Sequence, residues 1–150
     1  MAEIPGRGIM KHETFITVRF NETDALGHVN NTNYFVYLED ARIQLFQDLG
    51  FLIDPKGRSF VLVSAKCDYL KPAYFGDQLK IETAVLKIGN KSFQLGHRIL
   101  HAETNDVIAL GEVAVVYFNV ELEKGEPLPI EMKEKLRQYL LDPSSAISES

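Results

Sequence analysis

Residues 19–50, RFNETDALGHVNNTNYFVYLEDARIQLFQDLG, constrain what this chain can fold into more than any other stretch. The segment opens as the end of a strand and turns through a short polar run holding Asp24, Gly27 and His28. It then enters a long amphipathic helix through Asn30 and Asn31. Tyr34, Leu38, Ala41, Leu45 and Leu49 recur at spacings of four and three, and Phe35 and Phe46 widen the same apolar stripe. Asn30, Asn31 and Thr32 are each suited to cap the helix start, and Gly50 to stop it. A helix over residues 32–50 spans roughly 28 Å at 1.5 Å per residue, so it needs a broad apolar surface to lie on. It also sets a carboxylate just ahead of a helix N-terminus, where backbone N–H groups lack partners and the dipole is positive.

The remaining segments supply that surface. Residues 14–20 alternate, with Ile16, Val18 and Phe20 on one side and Thr17 and Arg19 on the other. Residues 59–70, 78–88, 92–102 and 107–120 are rich in Val, Ile, Leu, Phe and Tyr, and turn signals separate them. Leu79, Ile81, Thr83 and Val85 alternate with Lys80 and Glu82, which predicts one solvent-facing side there. Residues 114–118 are apolar on both sides, as in a central strand or one covered twice. The short connections favour antiparallel neighbours. A short helix is expected over residues 130–141, after Pro129. The reading is therefore α+β: an antiparallel sheet of about five strands, one long helix on it, and a short C-terminal helix. Residues 1–10 read as a loose lead-in, 11–142 as a single domain and 143–150 as a disordered tail.

Several function classes fall away. A formal charge of −5 and a pI near 5.4 argue against a duplex nucleic-acid binder, though two or three local cations still suffice for a phosphorylated cofactor. The single cysteine, Cys67, excludes an internal disulfide and a cysteine-built zinc site, and points to a reducing compartment, the cytoplasm. Residues 1–13 lack the apolar run of a signal peptide and no stretch approaches the ~20 apolar residues that span a bilayer, so neither export nor membrane insertion is expected. Phosphate-loop and G-x-S-x-G patterns are missing. His97 and His101 would stand about 13 Å apart on a strand, too far to share an ion, so they read as surface or core histidines. Cys67, in a strand without a neighbouring histidine, reads as packing.

Asp24 carries two readings. By spacing alone it caps its turn by accepting a backbone N–H, with Gly27 as a left-handed turn residue, His28 packed beside it, and Glu39 and Arg42 an ordinary helix-surface pair. The combination says more. Phe20, Thr23, Asp24, Gly27, His28, Val29, Asn30, Asn31 and Tyr34, followed by Tyr37, Glu39, Ala41 and Arg42, closely resemble the opening of the hotdog-fold thioesterases of the 4-hydroxybenzoyl-CoA and acyl-CoA thioesterase family. Pro72 with Gly76-Asp77, the run Asn90-Lys91-Ser92-Phe93, and Leu128-Pro129 extend the likeness along the chain.

That resemblance implies a hotdog fold and hydrolysis of an acyl-CoA thioester to free acid and CoA, with no metal and no cofactor beyond the CoA of the substrate. Asp24 takes the place of the catalytic carboxylate, as nucleophile or general base, and the backbone at Asn31 that of the oxyanion donor. Glu39 would bind, orient water or assist Asp24. Asn30, Tyr34, Lys91 and Ser92 would contact substrate, Lys91 through a CoA phosphate. The acyl-ACP thioesterases of plants share the H-V-N-N tetrad but carry an Asn where this chain has Leu26, which makes His28 a secondary candidate. Lys66 and Asp68 are possible contributions to a partner's site. The resemblance further implies a homodimer or homotetramer formed by edge-to-edge sheets, with the site at the interface. An acyl-ACP thioesterase and a non-catalytic acyl-thioester-binding protein are the alternatives.

Overall fold

In the computed structural model, which describes residues 10–51, 54 and 57–141, the first alternating segment forms β1, His12–Thr17. A 3-10 turn, Phe20–Glu22, and the long helix α1, Asn33–Leu49, follow. Four long strands come next: β2, Arg58–Tyr69; β3, Gln78–Ile88; β4, Ser92–His101; and β5, Val107–Asn119. The two-residue β6, Lys124–Gly125, and helix α2, Ile130–Arg137, complete the described chain. The sheet is antiparallel in the order β1-β3-β4-β5-β2, with β6 paired to β5. This is the expected five-strand sheet with one short addition. The loose lead-in, Met10 apart, and the tail 143–150 lie outside the described residues.

Three local expectations change. The first strand stops at Thr17 because Val18 N–H turns to Asp77 O at 2.9 Å, which leaves Phe20 75% exposed on the 3-10 turn rather than facing the core. The C-terminal helix ends at Arg137, after which the chain pairs with β3: Val85 N–H donates to Tyr139 O and Leu141 N–H to Val85 O. Glu82, expected in solvent, is buried because Lys11 and Arg98 reach its carboxylate at 2.9 and 2.7 Å. Those bonds outweigh the upward push of burial and hold its carboxyl below the usual range.

Helix α1 lies close on the sheet. A Cβ at Gly111 would stand 2.6 Å from a Leu38 methyl carbon, so glycine is required where helix and β5 meet. Tyr34, Leu38 and Ala41 pack with Ile81 and Ile99 at one end of the helix; Leu45, Phe46 and Leu49 pack with Phe93, Leu95 and Val113 at the other. Each large side chain among them contributes on the order of 1.5–3 kcal/mol by burial. A polar rung separates the two clusters, running across the strands as His12, Thr83, His97, Gly111 and Cys67. His97 shares a 2.9 Å hydrogen bond with the Thr83 hydroxyl, and its Nε2 has no partner among the described residues. Burial, with the Arg42 charge second, lowers its pKa to about 3, so the ring is neutral. Cys67 packs against the first cluster, and burial pushes its thiol up to about 11, which makes it inert.

The sheet ends in two edge strands, β1 and β2. Strand β2 pairs with β5 alone, and its Val61, Leu62 and Val63 are exposed. Among the described residues no helix is long and apolar enough to cross a membrane.

Candidate active site

The chain between β1 and α1 builds a rigid polar turn. Asp24 N–H donates to His28 O at 2.8 Å, and Gly27, at φ +81°, donates to Asp24 O at 3.0 Å. The Asp24 side chain closes the turn from inside, its Oδ1 accepting from Leu26 N–H at 2.9 Å and His28 N–H at 3.2 Å. Its other oxygen bonds to nothing among the described residues, and the residue is exposed. One oxygen thus holds the turn while the other is left without a partner among the described residues.

Helix entry is similarly half-finished. Thr32 occupies the cap position without a side-chain cap bond. Asn30 takes over, its amide oxygen accepting from Thr32 N–H and hydroxyl at 3.1 and 3.0 Å. Asn30 N–H donates to Glu22 O, and the N–H groups of Asn33, Tyr34 and Phe35 bond to carbonyls three residues back. Asn31 N–H is passed over; it has no partner among the described residues. On its other side Asn31 is pinned, its carbonyl accepting from the Tyr69 hydroxyl at 3.0 Å.

Asp24 and Asn31 line one cleft of about 250 Å³ together with His28, Tyr34, Tyr69 and Lys71. A carboxylate beside an unpaired N–H at a positive helix end suits attack on, or hydration of, a carbonyl whose oxygen becomes negative. His28 stands edge-on to Tyr74, ring centres 5.1 Å apart. Tyr34 is buried and leans on Tyr69. Burial raises its phenol pKa, only partly offset by a hydrogen bond from Ala73 N–H. Phe20 and Phe75 meet edge to face beside the turn, both exposed, and give that neighbourhood an apolar rim.

The other expected residues lie elsewhere on the chain. Glu39 lines a separate groove of about 200 Å³ between α1 and β2, with Phe35, Val36, Arg42 and Leu62, and sits 3.8 Å from Arg42. Lys91 and Ser92 are at the far end of the sheet: β3 starts beside the Asp24 turn at Gln78 and runs eleven residues to Ile88, about 33 Å at ~3.3 Å per residue, before their hairpin. Lys66 and Asp68 pair loosely with each other on the exposed β2. Among the aromatics of this region, Phe46 belongs to the core and Tyr37 is buried against Glu22; Phe35 faces the groove with Glu39, and Phe51 packs in the second cluster while lining a cleft of about 580 Å³ with Gly50, Tyr117 and Met132. Among the described residues no three His, Cys, Asp or Glu side chains gather as metal ligands would.

Residues 18–136 match the family described as the Thioesterase-like superfamily. The chain belongs to the thioesterase-like superfamily. It is 32% identical over 121 residues to YsmA of Bacillus subtilis, covering 81% of this chain and 82% of that one. It is 29% identical over 130 residues to the long-chain acyl-CoA thioesterase FadM of Escherichia coli, covering 85% and 98%. The solved structure of a predicted thioesterase from Bacillus stearothermophilus superposes with a TM-score of 0.80 at 32% identity, covering 89% of this chain and 99% of that one. The fold is the hotdog fold, and the protein is a thioester hydrolase.

Within this thioesterase the sequence reading passed over Tyr69, Lys71 and Glu22. Tyr69 and Lys71 reach the cleft from the end of β2, 38 and 40 positions beyond Asn31 in the chain, with no local pattern to mark them. Glu22 reads as one more acid in a polar turn, and only its burial sets it apart.

Proposed function

We propose that this thioesterase hydrolyses an acyl-CoA thioester to the free carboxylic acid and CoA. Asp24 serves as nucleophile or general base, and Asn31 N–H receives the thioester oxygen. One observation carries the reading: a carboxylate oxygen and a helix-entry N–H, both without partners among the described residues, line one cleft. In either role water supplies the oxygen that ends in the acid, and the thiol of CoA leaves with a proton. Asn30 shapes the helix entry, Tyr34 and Tyr69 form the wall, and His28 is a secondary candidate beside Asp24. The CoA carrier is supported by the likeness to FadM.

The protein acts in this reading as a homodimer through the open edge of β2. A two-fold antiparallel β2–β2 contact covers Val61, Leu62 and Val63 and removes an unpaired edge. It also turns the partner's sheet end for end. The partner's Lys91–Ser92 hairpin then comes to the Asp24 end, where Lys91 can meet a CoA phosphate, and Glu39 faces the interface.

The experiment follows thiol release from a panel of acyl-CoA esters, with acyl-ACP as comparator and Asp24→Asn alongside. Turnover of at least one ester is expected, with Asp24→Asn lower by roughly 10²–10⁴-fold while folded. Absence of turnover across the panel refutes the substrate class; an unimpaired Asp24→Asn refutes the site. Lys91→Ala should raise KM for CoA esters and leave pantetheine esters unchanged, and sedimentation should report a dimer or a multiple of it.

A further inference from the structure

Glu22 is 6% exposed and makes more connections than any other side chain around the site. Its Oε1 accepts from the Tyr37 hydroxyl of α1 at 2.8 Å and from Arg19 N–H at 3.0 Å; its Oε2 accepts from Arg19 Nε at 3.1 Å. Its own carbonyl accepts Asn30 N–H at 2.8 Å, the last bond before the unpaired N–H of Asn31. Two residues on is Asp24. The acid thus joins the end of β1, the turn that carries the carboxylate, the helix entry, and the second turn of α1.

Burial acts to raise the Glu22 pKa, but the bonds from Arg19 N–H, Tyr37 and the Arg19 guanidinium together hold it below the usual range, so the joint is ionised. The bonds inside the Asp24 turn fix its shape, yet they do not set its distance from α1. That distance depends on contacts between the two segments, and Glu22 supplies them from both its side chain and its backbone.

We propose that Glu22 is a positioning residue for thioester hydrolysis, holding the Asp24 carboxylate and the Asn31 N–H at a fixed separation through the turn on one side and Tyr37 and Asn30 on the other. This rests on the assignment of Asp24 and Asn31 given above. Misplacement of reacting groups by about 1 Å can cost on the order of 10²-fold in rate without weakening ground-state binding. The signature of Glu22 is therefore in kcat and not in KM.

The test measures kcat and KM for the best ester of the panel with wild type, Glu22→Ala, Glu22→Gln, Tyr37→Phe, Glu22→Ala/Tyr37→Phe and Asp24→Asn. Folded content and oligomeric state are checked for each. Glu22→Ala should lower kcat by roughly 10- to 100-fold with KM little changed. Glu22→Gln keeps an acceptor for Tyr37 and Arg19 N–H and should recover most of that loss. The double variant should be no worse than Glu22→Ala, because both remove one joint. A folded Glu22→Ala with wild-type kcat, a loss confined to KM, or equal losses in Ala and Gln overturns the proposal. Should Glu22→Ala not fold, Tyr37→Phe decides: a reduced kcat supports the proposal and a wild-type kcat overturns it. Retention of activity by Asp24→Asn instead removes the underlying site, an outcome distinct from loss there with Glu22→Ala intact.

Discussion

The two ends of α1 are finished differently. At its C-terminus the last carbonyls find donors. Gly50 N–H donates to Gln47 O, Phe51 N–H to Phe46 O, and Lys135 from α2 reaches Leu49 O at 2.9 Å. Phe46, Phe51, Phe60 and Phe93 interlock there with ring centres 4.7–5.9 Å apart. At its N-terminus the cap residue makes no side-chain cap bond, Asn31 N–H has no partner among the described residues, and an exposed carboxylate and aromatic rim stand beside it. One end is sealed at the backbone by those bonds and by aromatic packing and holds the fold, with a cleft of about 580 Å³ lined by Gly50, Phe51, Tyr117 and Lys135 opening beside it. The other keeps unpaired groups within a braced frame, which is what a site for a developing oxyanion requires.

The contrast makes the two ends separable by experiment. Phe46→Ala strikes the sealed end and should cost about 3–5 kcal/mol of stability, measured by urea unfolding, while the molecules that remain folded keep their kcat. Asp24→Asn should do the reverse, lowering rate with little change in the unfolding midpoint. A Phe46→Ala protein that is stable but slow would erase the distinction.

A smaller effect lies between the ends, at the polar rung. Unfolded His97 takes a proton near its ordinary pKa of 6.5, whereas folded His97 does so only near about 3. The unfolded state therefore binds more protons between those values, so this contribution is fully present above 6.5 and declines as pH falls toward 3. Between pH 6.5 and 5 it amounts to about 2 kcal/mol at most, at ~1.4 kcal/mol per pH unit. Unfolding of His97→Gln should be less pH-dependent by that amount; an identical slope would place the buried proton elsewhere. Smallest is Lys135→Met, which removes the bond to Leu49 O and should lower stability by about 1 kcal/mol with activity unchanged. A larger loss would mean that α2 carries more of the sealed end than that bond.

Much of the architecture was legible in the chain. Helix α1 and the long strands follow from periodicity and from turn residues, which depend on neighbours within a few positions. The buried stripe Tyr34, Leu38, Ala41, Leu45, Leu49 was read correctly because a helix that lies on a sheet must bury one face. The burial of Glu82 was not legible, since alternation shows which side a residue faces and not what covers that side. Lys11, just ahead of β1, and Arg98, on β4, do that.

The site divides in the same way. Asp24, Gly27, His28, Asn30 and Asn31 fall within eight consecutive positions, so the sequence by itself determined their turn and its junction with the helix. Only the tertiary structure decided that Glu39 lies in a different groove, that Lys91 stands a full strand length from Asp24, and that Tyr69 pins the Asn31 carbonyl. It also decided that Glu22 is the buried joint between turn and helix. The physical reason is range: a turn is specified by bonds among residues next to one another. The spacing of a carboxylate from a helix end, a cation or a phenol is set by which strands pair and in what register, and no short window of sequence contains that.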